Sequence, residues 1–187
     1  MDNTLQSPNL RLRALEPSDL DLLYSWENNM EIWNVSNTIT PFSKYILNKY
    51  IESSHQDIYE AKQLRLIIEA KNQSSLMFHP VGAIDLFDFD PFHSRAGIGI
   101  LIHDAEERNK GYATEALKLL VKYSFETLQL HQLYCNIAAA NLASIQLFQR
   151  LGFKIVGIKE QWLKMRNGWE NELMLQLINP LSTSSKS

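Results

Sequence analysis

Leucine and arginine alternate through Leu10-Arg11-Leu12-Arg13-Ala14-Leu15, and a period of two predicts a half-buried strand. Further strand-like apolar runs follow at 64–70, 81–87, 95–103, 133–138 and 153–158. Between 112 and 128 the period changes. Ala116, Leu117, Leu120, Val121, Ser124, Phe125 and Leu128 recur three or four apart, the spacing of one helix face. Pro17-Ser18-Asp19 opens an earlier helix with Leu20, Leu22, Leu23 and Trp26 on its apolar stripe. Thr40-Pro41-Phe42-Ser43 opens another, with Tyr45, Ile46, Lys49, Tyr50 and His55 along one face. Asn141 caps a helix over 142–151 that Gly152 ends. The chain closes as an antiparallel ribbon, 161–165 and 169–177, about the turn Arg166-Asn167-Gly168. Strand, helix and strand in succession from 95 to 138 imply a parallel crossover, so the fold class is α/β with a mixed sheet. Turn residues from Asp88 to Ser94 predict a hairpin, and Gly97 and Gly99 inside the fourth strand predict a bulge or a close approach of another group.

Length and composition add bounds. With 187 residues, 45% of them hydrophobic and 21% charged, the chain suits one soluble domain over 1–181 with a disordered polar tail at 182–187. A net charge of −3 excludes a dedicated nucleic-acid binder. The single cysteine, Cys135, builds neither a disulfide framework nor a zinc cluster, no metal is expected, and the expected compartment is the cytoplasm. No apolar run approaches the length of a membrane span and no signal segment opens the chain, so no membrane partner is expected. Trp162 and Trp169 in the closing ribbon offer a surface for a homodimer or higher oligomer.

The chemistry begins at Arg108-Asn109-Lys110-Gly111-Tyr112-Ala113-Thr114, between a strand and the start of the long helix. A short basic loop with glycine leaves backbone N–H groups facing outward, with the positive end of the helix dipole behind them. Such a loop cradles an anion, and a pyrophosphate fits it. The spacing is neither Gly-x-Gly-x-x-Gly nor the P-loop.

This loop resembles the Arg/Gln-x-x-Gly-x-Gly/Ala signature of GNAT-family N-acetyltransferases. A second segment, Asn141 through Ser144, Leu147 and Phe148 to Gly152-Phe153, resembles the Asn-x-x-Ser/Ala-x-x-Leu-Tyr/Phe-x-x-x-Gly-Phe stretch that ends the coenzyme half of those enzymes. Within the family the chain is similar to spermidine N-acetyltransferases and ribosomal-protein N-terminal alanine acetyltransferases, sharing Tyr123-Ser124-Phe125 and Leu130-His131.

The resemblance implies a mostly antiparallel seven-stranded mixed sheet, splayed between strands four and five, with helices on both faces. It also implies acetyl-CoA as co-substrate. Main-chain groups of Ile100, Leu101, Ile102 and His103 would pair with the pantetheine arm, Asn141 would reach its amides, Arg108 to Thr114 would hold the pyrophosphate, and Ser144 and Phe148 would lie near the sulfur. Reaction would be direct transfer to an amine in a ternary complex. The acceptor is a small polyamine or a protein N-terminus. A GNAT fold kept as a non-catalytic CoA-binding module is the alternative.

Two positions depart from the family pattern. Gly97 stands where many members carry a glutamate, and Phe148 stands where spermidine acetyltransferases place an acidic tyrosine. An amine of pKa about 10.4 costs roughly 4 to 5 kcal/mol to deprotonate at neutral pH, against about 1 kcal/mol for an α-amine, so the first acceptor class needs a base most. Asp85, Glu27, Glu31 or a water chain could act, Asp85 being the first choice. Ser144 is the candidate for stabilising the leaving thiolate. Glu27, Glu31, Trp33 and Asp85 form the expected acceptor wall, with Asp88 and Asp90 as further nearby carboxylates.

Overall fold

The computed structural model describes residues 4–33, 38–72 and 75–180, so the tail expected to be disordered lies outside the described residues. Seven strands are present: β1 (Leu10–Ala14), β2 (Leu64–Lys71), β3 (Phe78–Asp90), β4 (Arg95–Ile102), β5 (Gln132–Ala138), β6 (Lys154–Met165) and β7 (Gly168–Ile178). The helices are α1 (Leu20–Glu27), α2 (Lys44–Glu52), α3 (Ile58–Ala61), α4 (Tyr112–Glu126) and α5 (Leu142–Arg150). The strands form one sheet in the order β1-β2-β3-β4-β5-β7-β6, with every neighbouring pair antiparallel except β4 and β5. No described helix is long and apolar enough to cross a membrane.

Alternation along the strands divides the core. On one face, Ala116, Leu117 and Leu120 of α4 pack with Leu66, Ile68, Ile84, Leu86 and Ile98. On the other, Leu23 of α1 and Leu47 and Ile51 of α2 cover Ile67. This corrects the expected face of the second helix: Tyr45 and Ile46 are exposed, and the buried stripe is Leu47 and Ile51. The short α3, absent from the sequence reading, is set by Asp57, whose carboxylate accepts the N–H groups of Tyr59 and Glu60. The two segments expected at 153–158 and 161–165 are one strand, β6, which absorbs its irregularities as register shifts at Ile155/Gly157 and Lys159/Leu163. Trp162 and Trp169 on this ribbon are exposed.

Gly97 is not at a bulge. It pairs with Phe87 on β3 and Tyr134 on β5, and the Phe87 ring occupies the space a Cβ at 97 would need. The irregularity lies instead in β3, between Phe87 and Asp90, where Asp88 has φ +48.

Candidate active site

Only three residue pairs join β4 to β5: Arg95 to Gln132, Ala96 to Leu133 and Gly97 to Tyr134. Beyond them the strands diverge. The facing edges of β4 from Ile98 and of β5 from Cys135 carry no strand partner, which is the expected splay. A cleft of about 690 Å³ occupies the gap.

One end of the cleft is built by β4 and the start of α5. Ile100, Leu101, His103, Asn141, Ser144 and Phe148 line it, while Ile102 points into the core. Asn141 caps α5, its side chain accepting the Ser144 N–H at 3.2 Å, so the serine faces the cleft in the first turn of the helix. Phe148 is buried edge-to-face on Phe153 at 5.0 Å and closes the wall behind it. His103 departs from expectation: its N–H donates to the Val81 carbonyl at 3.1 Å and its carbonyl accepts from Arg108 at 3.3 Å. It therefore presents its ring, and not a free main-chain amide, to the cleft.

The basic loop leaves the C-terminal end of β4. Asn109 (φ +61) and Gly111 (φ +88) turn the chain, and α4 begins with no side chain capping its first N–H groups. Around Gly111 a Cβ would meet nothing within 4 Å, so no packed group crowds the turn. Uncapped N–H groups at the start of a helix are what a backbone anion site requires. The two cations are differently engaged than expected. The Arg108 guanidinium folds back onto the carbonyls of Ile102 (3.1 Å) and His103, tying the loop to β4, and Lys110 pairs with Glu107 at 3.0 Å.

Four carboxylates also line the cleft: Glu27 and Asp85 on the α1 and β3 side, and Glu170 and Glu172 on β7, beside the segment that leads into α5. Arg65 on β2 donates to Asp85 at 2.6 Å and to Glu27 at 2.8 Å. Asp85 holds the same guanidinium through its second oxygen at 3.4 Å. With both oxygens engaged by the Arg65 guanidinium, Asp85 is placed as an anchor for that cation and not as the free base expected. Glu172 pairs with Lys159 at 2.7 Å, and Lys159 also donates to Asn136 at 3.0 Å. Glu170 accepts the Ala140 N–H at 2.6 Å and has no cation partner among the described residues. Glu31 and Trp33 do not line the cleft: Glu31 is exposed, and the Trp33 indole donates to the Glu27 carbonyl at 2.9 Å, bracing the end of α1. Asp88 and Asp90 also stand apart, the first accepting from the Tyr134 hydroxyl and the second paired with Arg95.

The His103 ring lies flat on Trp26, with centroids 4.2 Å apart and planes 2° apart. Its Nδ1 is buried without a hydrogen-bond partner among the described residues. Burial, reinforced by the charges of Arg65 and Arg108, pushes the imidazole down to about 4, so it is neutral at physiological pH. The unfolded chain binds this proton near the ordinary value of about 6.5 while the folded chain refuses it. The histidine therefore costs stability as pH falls from that value towards 4. Between pH 7 and pH 5 the folded state should lose about 2 kcal/mol through this group, and His103→Gln should flatten that part of the stability-against-pH curve. Thermal melts of both proteins across that range measure it; parallel curves would remove His103 as the cause.

The sequence pattern of the Acetyltransferase (GNAT) domain matches residues 9–154. The chain belongs to the GNAT acetyltransferase family. This acetyltransferase is 28% identical over 151 residues to spermidine N(1)-acetyltransferase of Escherichia coli (strain K12), covering 79% of this chain and 74% of that protein. It is 26% identical over 176 residues to the N-acetyltransferase p20 of Bacillus licheniformis, with 94% and 96% covered. The crystal structure of spermidine N-acetyltransferase from Vibrio cholerae in complex with CoA and spermine superposes with a TM-score of 0.79 at 24% identity, over 90% of this chain and 95% of that one. The splayed seven-stranded sheet is thus the family fold.

Several wall residues of the acetyltransferase escaped the sequence reading. Arg65 was hidden in an apolar strand, where its one signal is register: it lies opposite Asp85. Glu170 and Glu172 sit in the closing ribbon, brought to the cleft by the pairing of β7 with β5. No local motif marks Trp26 as the partner of His103.

Proposed function

We propose that the chain transfers the acetyl group of acetyl-CoA directly to a primary aliphatic amine bound with it in a ternary complex. The observation that carries this reading is one cleft that is lined both by the open strand edges with the α5 N-terminus and by four carboxylates. The pantetheine arm would lie along the free edge of β4, with the pyrophosphate against the N–H groups at the start of α4. Bound there, the thioester supplies the activated acyl group.

Four carboxylates against Arg65 and Lys159 leave the cleft negative, which favours a cationic amine. That two curated relatives of this chain are spermidine N(1)-acetyltransferases supports small aliphatic amines over a protein N-terminus. Glu170, free of a cation partner among the described residues, is the proposed acceptor of the ammonium proton, directly or through water. The Ser144 hydroxyl is the proposed donor to the leaving thiolate, whose pKa of about 8.5 makes that a modest task.

Acetyl-CoA should raise the melting temperature, and thiol release should follow addition of spermidine, alkylamines or N-terminal peptides in a panel. Glu170→Gln should cut kcat/KM more for amines of pKa about 10.4 than for α-amines near 7.8, because only the former depend strongly on a base. Absence of both thermal protection and thiol release would overturn the proposal; equal losses across the panel would remove Glu170 as the base.

A further inference from the structure

A second cavity of about 420 Å³ lies behind the acceptor end and shares two wall residues with the first, Glu27 and Arg65. Its other walls differ in character. Ile39, Phe42, Ile46 and Leu47 are apolar, and Tyr50 stands at the back with its ring 5.5 Å from the Arg65 guanidinium carbon and its hydroxyl accepting from Gln63 at 3.1 Å. Ile39 and Ile46 are 87% and 50% exposed, an arrangement that costs solvation unless something covers them.

We infer that this cavity takes the far end of the acceptor and that this end is apolar and uncharged. The inference rests on the proposed amine acetylation and narrows its substrate. Charge distribution is the first ground. In the main cleft carboxylates outnumber cations, so the reacting ammonium is held there. In the second cavity Glu27, the one carboxylate among the described lining residues, is already paired with Arg65 at 2.8 Å. A second ammonium entering it would be desolvated beside a guanidinium with no anion of its own. Continuity is the second ground. Because Glu27 borders both spaces, an amine held in the main cleft can extend its carbon chain past the Arg65–Glu27 pair without leaving the protein surface. The arm that fits is aryl or branched alkyl, joined to the amine through a few methylenes, and polyamines with a charged remote end are the poorer acceptors.

The test compares phenylbutylamine, spermidine and propylamine as acceptors for the unmodified protein and for Ile46→Asp. Position 46 is half exposed in the first turn of α2, where an acidic side chain suits the helix dipole, so folding is preserved. Phenylbutylamine should exceed the other two in kcat/KM by about tenfold, and Ile46→Asp should remove that advantage while leaving propylamine within about twofold, as expected when one apolar pocket contact is lost. Preference for spermidine, or an equal loss on all three amines, would overturn the inference. A calorimetric titration of phenylbutylamine into CoA-saturated protein gives a second reading that needs no turnover. Ile46→Asp should weaken it about tenfold. If no amine is acetylated the proposed function fails, and the titration still decides the subsite, unchanged affinity counting against it.

Discussion

Arg65→Met should lower stability at pH 7 by about 3 to 5 kcal/mol, the range found when one partner of a buried ion pair is removed. Methionine keeps the volume of the stem, so the loss reports charge. Arg65 is 24% exposed, with Glu27 at 16% and Asp85 at 20%, and no other cation reaches the pair among the described residues. Without the guanidinium two part-buried carboxylates face each other, and one of them retains a proton above the ordinary carboxylate range. The folded variant then binds more protons than its unfolded chain between about pH 4 and that raised value, so its stability falls as pH rises through the window. Relative to the unmodified protein the deficit should therefore shrink at pH 5. Adding Asp85→Asn, which removes one of the two charges, should restore part of it at pH 7. Urea midpoints at the two pH values decide; a deficit independent of pH would mean that packing, and not charge, was lost. The same substitution relieves one of the charges that hold His103 neutral, so that ring should protonate more readily.

Gly97→Ala should cost about 3 kcal/mol, the upper range for forcing a methyl into a filled space, and lower the melting temperature by about 6 to 12 °C. The obstacle is the Phe87 ring, which lies directly over Gly97 and packs edge-to-face on Tyr134 at 5.9 Å. Phe87→Ala in the same chain should relieve most of the clash, so the double substitution is far less harmful than the sum of the singles. Gly157→Ala is the control, since nothing lies within 4 Å of its Cβ position and an alanine there should be neutral or slightly stabilising. Additivity between positions 87 and 97 would refute the steric account. A glutamate at 97 would have to displace Phe87.

Motif and period carried the coenzyme end in the sequence because its residues are contiguous. Asn141, Ser144 and Phe148 share one helix, and Arg108 to Thr114 form one loop, so spacing alone places them. The acceptor end comes from α1, β2, β3 and β7, and its members meet only through strand register, as Arg65 meets Asp85. No single-sequence period reports such a meeting. Asp85 was legible as a carboxylate on a strand, but the cation that engages both its oxygens lies twenty positions earlier. In α2 the aromatic and isoleucine positions suggested one face and the structure buries another, because Leu47 and Ile51 meet Ile67 while Ile46 borders a cavity.

The brevity of the β4–β5 pairing has a further consequence for the protein's exposure to unwanted association. An open strand edge on a protein surface invites another polypeptide to dock. Here two such edges face each other inside the molecule, flanked by α1 and α5 and separated by a gap of cleft width. Lying in the middle of the sheet order and turned towards each other, these edges are withdrawn from a passing polypeptide, which meets the outer strands β1 and β6 first.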